Sequence, residues 1–370
     1  MGLAALLACA FARAADYPRP KPGKAGKGRL EFVEGIPVLH LRGTPGEMGH
    51  QQGALMAEQF AFLREHYLHR LLGDGVEAEA ARLAAMGFQQ FIPKDYLAEL
   101  KALSEESGEA YVDVLLANTF LDTSRSVLCS VAIAQKSATR GGRLLFARNN
   151  DFPTLNVAHK ASVVIVYHHT RPGLRSFVSI GWPAVIGVVS GMNDAGLCVA
   201  TLVSLTQKGV HPGMPYCLMY RQVLEECATP QEALAVVRRT QRTSANNLAV
   251  AAPGTEPLVI EFTPQKVAAR RPVRDVLLAT NHFRSPEHTA VPRPVYGRYP
   301  RLEEFSRSHH GRIDVAALKG VLKACQIPTW TMQSMVFEPA ERRLHLATGT
   351  LPAASGKYVA IGCRELMAAK

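Results

Sequence analysis

The chain changes character at residues 129–135, which read Cys129-Ser130-Val131-Ala132-Ile133-Ala134-Gln135. Before this stretch, apolar and aromatic positions recur at helical spacing over roughly residues 45–120. After it, short runs rich in Val, Ile and Ala predict strands. The strands come in runs with helices between the runs, an order that favours a layered α+β fold over a doubly wound parallel sheet.

Local patterns place the individual elements. A hairpin is predicted around the turn at 34–37, and a helix is predicted to start at Thr44, because Thr, Pro and Glu occur in capping-box order. The predicted strands are 129–135, 143–149, 161–168, 175–180, 185–191, 197–203, 246–251, 257–262, 275–280, 333–337 and 343–347. The predicted later helices are 215–227, 230–240, 298–308 and 313–325.

Composition excludes several classes of protein. With 370 residues, 47% hydrophobic and 20% charged, the chain can form a core and is not intrinsically disordered. After the first dozen residues, no apolar run reaches the roughly 18 residues of a membrane-spanning helix, so no membrane span is predicted. The chain has a net charge of +11, and five of its basic residues fall in one Pro/Gly-rich stretch, so residues 16–30 are predicted to be a basic flexible leader rather than a nucleic-acid arm.

The first fifteen residues resemble an export signal. A short apolar run from Leu3 to Phe11 precedes Ala12-Arg13-Ala14, a small-x-small cleavage site. We therefore expect residues 1–15 to be a signal peptide and the protein to be exported. A lipoprotein signal, with Leu6-Leu7-Ala8 before Cys9, is the alternative.

The seven cysteines show no metal-binding pattern. They include no CxxC pair and no Cys/His ligand spacing, so neither a metal nor another cofactor is predicted. Their wide scatter is typical of buried thiols, with one disulfide as an open alternative.

Cys129 differs from the other cysteines in the residues downstream of it. After Gly141-Gly142 and an apolar strand comes the polar run Arg148-Asn149-Asn150-Asp151. A hairpin joined at the double glycine would bring this run back to Cys129. A cation near a thiol lowers the thiol's pKa, so the pattern indicates a reactive cysteine.

Two further polar motifs occur later in the chain. Gly191-Met192-Asn193-Asp194-Ala195-Gly196-Leu197 is a turn between apolar strands and is by itself a hairpin signal. Asn246 and Asn247 stand at the head of another strand, although Asn is a poor strand former. They serve either as a cap or turn, or as a side-chain donor to an oxyanion.

The order of these motifs resembles the cysteine N-terminal-nucleophile (Ntn) hydrolases. The nearest group is the acyl-coenzyme A:6-aminopenicillanic acid acyltransferase family, with choloylglycine hydrolase and acid ceramidase more distant. The similarity runs from about Val33 to about Leu351. It also includes the Gly- and Gln-rich stretch at 43–53, Thr280-Asn281-His282-Phe283 and Arg298-Tyr299-Pro300-Arg301.

The resemblance implies a four-layer αββα sandwich with a helical N-terminal segment. It also implies that the precursor cuts itself at Leu128–Cys129. Residues 31–128 would form a mainly helical α-chain segment, and residues 129–370 the sandwich core, or β chain. The two chains of one precursor would stay partners.

The resemblance also implies roles for individual residues. Cys129 would be the nucleophile and its new α-amine the base, with Asp151 holding the amine and Arg148 stabilising the thiolate. Asn246 would donate to the oxyanion, although it and Asn247 could exchange roles. Asn193 and Arg298 would complete the polar network.

Three functions are expected on these grounds. The first is a self-processing amidase that cleaves a linear amide of a small N-acyl substrate through an acyl-thioester, without a cofactor or nucleic acid. The second is acyl transfer to a penicillin-type amine or from an acyl-coenzyme A. The third, from another class, is a non-catalytic exported binding protein that retains the fold.

Overall fold

A computed structural model describes residues 16–73, 75–123, 128–204, 210–288 and 297–368. The predicted signal peptide at 1–15, with Cys9, lies outside these residues, and export therefore stays a prediction.

The chain begins with three strands, β1 (Gly23–Ala25), β2 (Gly28–Val33) and β3 (Ile36–Gly43). Val33 pairs with Ile36, so the hairpin predicted around 34–37 is confirmed. The prediction of a flexible leader over 16–30 is wrong for its second half, because β1 and β2 form the edge of a sheet. The cause is backbone pairing together with burial of Leu30, which is 2% exposed.

The helical region predicted over 45–120 is confirmed. Helix α1 begins at Pro45 because the side chain of Thr44 caps it and Glu47 completes the capping box. The helices of this region are α1 (Pro45–Leu63), α2 (His69–Leu72), α3 (Val76–Phe88), α4 (Lys94–Ser107) and α5 (Tyr111–Thr123), with a π-helical turn at Arg64–Leu68 between α1 and α2.

The remaining strands are β4 (Leu128–Lys136), β5 (Gly142–Asp151), β6 (Val163–His169), β7 (Phe177–Gly181), β8 (Ser190–Asn193), β9 (Cys198–Val203), β10 (Asn246–Ala251), β11 (Leu258–Phe262), β12 (Val267–Arg270), β13 (Val276–Ala279), β14 (Thr331–Glu338), β15 (Arg343–Thr348) and β16 (Val359–Gly362). The remaining helices are α6 (Tyr216–Glu226), α7 (Pro230–Arg239), α8 (Arg298–Ser308), α9 (Val315–Ala324) and α10 (Cys363–Ala368).

The strands form two sheets. One has the order β1-β2-β3-β6-β7-β8-β9-β10-β11-β12, and the other has the order β13-β4-β5-β14-β15-β16. Strand β4 contacts β9 across the sheets, while α6 and α7 pack on the first sheet and α8 and α9 on the second. Helices therefore cover both sheets, and the αββα sandwich is confirmed.

Alternation along β4 explains the layers. Val131 and Ile133 join the core between the sheets, whereas Ala132 and Ala134 join the smaller core under α8 and α9. Small residues on that face leave room for the helices.

The predicted strand at 185–191 is wrong except at its end. The backbone N–H of Ile186 donates a hydrogen bond of 2.8 Å to the side-chain Oδ1 of Asn118 on α5. This N–H is therefore bonded to a helix and not to a neighbouring strand. The run of apolar residues over 185–191 indicates a buried segment, but it does not distinguish a strand from other buried structure.

The segment before Cys129 is built into the rest of the fold. Strand β3 pairs in parallel with β6, and the carboxylate of Glu99 on α4 makes a buried two-point ion pair with Arg221 on α6, at 2.9 and 2.7 Å. A chain ending at residue 128 would therefore stay attached to residues 129–370.

Among the described residues, none of the helices is both long enough and apolar enough to cross a bilayer. The six cysteines in these residues are buried and carry free thiols.

Candidate active site

The hairpin of β4 and β5 brings the predicted reactive residues together. Gly141 and Gly142 both have positive φ angles, 75° and 70°, which glycine adopts without steric cost. The resulting register places Cys129 opposite Asn150. The polar run 148–151 therefore returns to Cys129, as the sequence predicted.

The thiol of Cys129 is fully buried beside a guanidinium. Its Sγ lies 3.4 Å from Nη2 of Arg148 and 3.9 Å from Oδ1 of Asn150. Burial raises the pKa of the Cys129 thiol, and the positive charge of Arg148 opposes this shift. Arg148 therefore places a cation where it would stabilise a thiolate.

Residues at the start of β8 and on β5 itself hold the Arg148 guanidinium in place. Its Nη1 donates to the Val189 carbonyl and, at 2.7 Å, to the hydroxyl of Ser190, while Nη2 donates to Asn150 at 3.0 Å. A fully buried charge is costly unless polar partners surround it. These contacts direct one edge of the guanidinium at the sulfur.

Asp151 carries an acceptor that the described residues leave unused. Its Oδ1 accepts a hydrogen bond of 2.5 Å from Thr331, while the buried Oδ2 accepts none from the described residues. Oδ2 lies 3.8 Å from Nη1 of Arg298. Burial raises the pKa of Asp151 to about 6, against the attraction of Arg298.

Arg298 reaches the backbone of the nucleophile from the start of α8. Its Nη1 donates to the carbonyl oxygen of Cys129 and, at 3.0 Å, to Oγ of Ser130. The structure therefore brings Arg298 to the cluster.

Asn281 belongs to the cluster and was missed as a site residue. Its Oδ1 accepts a hydrogen bond of 2.6 Å from the backbone N–H of Cys129 and one of 3.1 Å from Nη2 of Arg298. Its Nδ2 donates to the carbonyl of Val203 at 2.9 Å. The available signal was the Thr-Asn-His-Phe motif directly after an apolar strand.

The two adjacent asparagines of β10 have different surroundings. Oδ1 of Asn246 accepts from the hydroxyl of Thr201 at 3.2 Å, and its buried Nδ2 donates to none of the described residues. Nδ2 of Asn247 instead donates to Ser204 at 2.9 Å and to the Thr280 carbonyl at 3.0 Å. Of the two roles left open, these contacts favour Asn246 as the available donor.

The structure does not bring Asn193 into the polar network. Its Nδ2 donates to the carbonyls of Leu224 and Cys227 at 2.9 and 2.7 Å. Its Oδ1 accepts from the backbone N–H groups of Ala195 and Leu197. The side-chain amide of Asn193 therefore connects the β8–β9 turn to the end of α6. This is a structural role in the turn, as expected of a hairpin motif.

An apolar pocket adjoins the polar cluster. Asn150, next to the sulfur, and Thr201, which bonds Asn246, are among its lining residues. Arg64 is the one charged side chain among the described residues that line it. Its apolar walls include Phe60, Leu63, Tyr67, Leu68, Ala117, Phe120 and Leu121 from before the predicted cut, and Phe152, Trp182, Val185, Val189 and Met332 from after it.

Two facing sheets, covered by helices on both sides and carrying this cysteine at the start of a strand, define an Ntn-hydrolase fold. A family model described as acyl-coenzyme A:6-aminopenicillanic acid acyl-transferase matches residues 137–349, more than half of the chain. The chain belongs to this family.

Curated relatives match at low to moderate identity. Protein dcd1B of Dictyostelium discoideum is 30% identical over 240 residues, covering 58% of this chain and 48% of that protein. Protein dcd1A of the same organism is 22% identical over 362 residues, covering 87% and 80%. For dcd1B, the match therefore spans about half the length of the relative.

Solved structures also show partial likeness. An N-acylethanolamine-hydrolyzing acid amidase ortholog from Caenorhabditis elegans matches with a TM-score of 0.44 and 18% identity, covering 62% of this chain and 96% of that one. Penicillin V acylase from Agrobacterium tumefaciens matches with a TM-score of 0.46 and 16% identity, covering 65% and 87%.

Proposed function

We propose that the chain cuts itself between Leu128 and Cys129 and then hydrolyses a linear amide bond of an N-acyl substrate through an acyl-thioester on Cys129. One observation carries this proposal. The side chains of Asn281 and Arg298 hold the backbone N–H and carbonyl of Cys129, while Arg148 contacts its sulfur. Such hydrogen bonds to both backbone groups of one cysteine are expected where the peptide nitrogen of that cysteine takes part in the reaction.

The proposed cut uses the thiol of Cys129 on the peptide bond that precedes it. The sulfur attacks the carbonyl carbon of Leu128, its acyl group moves from nitrogen to sulfur, and water then opens the thioester. The products are a carboxylate on Leu128 and an amine on Cys129, whose reference pKa of about 7.7 to 8.0 suits a base near neutral pH. Asn281 already accepts a hydrogen bond from this nitrogen, and Oδ2 of Asp151 offers a further acceptor.

Turnover would use the same groups on an external amide. The Cys129 amine takes the thiol proton as the sulfur attacks the substrate carbonyl carbon, and the proton then passes to the departing nitrogen. The Nδ2 of Asn246 is a donor for the oxyanion of the tetrahedral intermediate. Water then hydrolyses the acyl-thioester and restores the thiol.

The pocket beside the sulfur favours an apolar acyl group. Aromatic and aliphatic side chains form most of the pocket wall. Burying an apolar acyl group there contributes about 25 cal/mol of binding free energy per Å² of apolar surface. Both sides of the predicted cut contribute residues, so acyl binding would require both chains.

The family description favours acyl transfer as the second candidate. Both reactions share the thioester and differ only in whether water or an amine accepts the acyl group. Water needs no binding subsite, whereas an amine must be bound in order to compete with it. Hydrolysis is therefore the proposed outcome.

A panel of N-acyl amides tests the proposal. Amides of one amine with acyl chains of increasing length are incubated with the cut protein, and both the amine and the acyl product are measured. We expect Cys129-dependent amine release with the free acid as product, and an acyl hydroxamate when hydroxylamine is added. Acylated acceptor in place of the acid would favour transfer, and no release from any amide or penicillin would contradict the enzyme assignment.

Filling the pocket should reduce turnover of long acyl chains. Ala117 lines the pocket on α5, so Ala117→Phe places a ring in the acyl space. We expect kcat/KM for a long-chain amide to fall at least about 10-fold, a loss of about 1.4 kcal/mol, while a short-chain amide is affected less.

Ala98→Phe is the matched control because it adds the same ring at an exposed position of α4. It should leave both substrates unchanged. Equal losses for short and long chains in Ala117→Phe would contradict the placement of the acyl group.

A further inference from the structure

Asp122 is a buried carboxylate near the predicted cut that the proposed mechanism does not use. It lies in the last turn of α5, six positions before Leu128, and is 4% exposed. Its Oδ1 accepts hydrogen bonds from the backbone N–H of Tyr216, at 3.1 Å, and from the hydroxyl of Thr243.

Burial of the Asp122 carboxylate is unfavourable for its charged form, so its presence at this position needs an explanation. Burial raises the pKa of Asp122 to about 7, and Oδ2 is buried without a hydrogen-bond partner among the described residues. A carboxylate at the carboxyl end of a helix also opposes the dipole of that helix. The first turn of α6, which supplies the N–H of Tyr216, is a favourable partner for it.

The two hydrogen bonds join three segments that surround the site. The first is the end of α5, which leads to the predicted cut. The second is the start of α6, where Tyr216 and Cys217 line the pocket. The third contains Thr243, three positions before Asn246.

We propose that Asp122 is a positioning residue for self-cleavage, because its two hydrogen bonds hold the end of α5, shortly before the Leu128–Cys129 bond in the sequence, against the start of α6 and the segment before β10. Leu128 is fixed on the other side by pairing with Asp151. Asp122 and Leu128, six positions apart, are thus each held by contacts among the described residues, and loss of the Asp122 contacts frees the end of α5 that precedes the scissile bond in the sequence. This inference rests on the proposed self-cleavage.

A time course of cutting tests it. Precursor produced by rapid cell-free synthesis is sampled on denaturing gels. Asp122→Ala should cut at least about 10-fold more slowly than the unaltered chain. Thr243→Val, which removes the hydroxyl while keeping the side-chain shape, should also slow the cut.

Asp122→Asn retains an acceptor at Oδ1 and mimics the neutral carboxyl, so it should cut within about threefold of the unaltered chain. Asp113→Ala is the matched control, since it removes a carboxylate from the first turn of the same helix. It should leave the cutting rate unchanged. Turnover per titrated thiol in the cut fraction of Asp122→Ala should fall less than the cutting rate does, which a general loss of structure would not produce.

The outcomes separate the two proposals. If the unaltered chain cuts but Asp122→Ala or Thr243→Val cuts equally fast, the role of Asp122 is overturned and the proposed function stands. If the unaltered chain stays uncut, the proposed function itself fails. Should Asp122→Ala not fold, Thr243→Val still decides the matter.

Discussion

Cys129→Ala should leave the protein as a single chain and reduce amide turnover at least about 10,000-fold. The thiol is both the group that attacks Leu128 and the group that attacks substrate, so its removal stops two reactions at once. The unaltered protein should give two chains on a denaturing gel, of about 14 and 26 kDa in proportion to the lengths of residues 1–128 and 129–370, from a precursor of 40.2 kDa. Gel analysis and amine release together check this result.

Two variants control for the loss of a buried thiol. Cys227→Ala removes another buried cysteine, at the end of α6, and should cut and turn over normally. Cys129→Ser should slow or stop both reactions because a hydroxyl is a weaker nucleophile than a thiolate. Normal cutting by Cys129→Ala would contradict the mechanism. An unaltered chain that stays intact would favour the alternative of a non-catalytic binding protein.

Asn246→Ala should reduce kcat about 100- to 1000-fold with little change in KM. Its Nδ2 is buried and unused among the described residues, so it is available for a charge that develops only as the carbonyl is attacked. An interaction of that kind lowers the barrier without tightening substrate binding. Steady-state kinetics on fully cut protein, normalised to titrated thiol, checks the prediction.

Asn193→Ala is the matched control. Its amide makes four hydrogen bonds within the fold, and deleting it leaves buried backbone groups without partners. Each such group costs about 1–3 kcal/mol, so the thermal midpoint should fall while kcat per folded molecule stays within about threefold. If Asn247→Ala lost turnover and Asn246→Ala did not, the roles of the two asparagines would be exchanged.

The sequence predicted most elements and the reactive hairpin. The apolar runs, the helix caps and the double glycine each act locally, so their consequences for β4, β5 and α1 can be inferred from the residues themselves. The return of Arg148 and Asp151 to Cys129 follows from strand pairing alone.

Long-range contacts could not be predicted in the same way. Asn281 lies 152 positions from Cys129, and only the packing of β13 beside β4 brings its side chain to the Cys129 backbone. Asn193 was predicted to be a site residue, but its side-chain amide hydrogen-bonds to backbone groups of its own turn and at the end of α6. The spacing of residues in the sequence does not predict these contacts. The prediction of a flexible leader failed for a related reason: a basic, Gly-rich stretch pairs as a strand once an edge is available.

N-terminal sequencing of the larger chain of the purified protein tests the central claim most directly. A single cut that frees the nitrogen held by Asn281 predicts a chain beginning Cys-Ser-Val, with Cys129 as its first residue. A larger chain that begins at any other residue, or a protein that stays intact, would contradict the account.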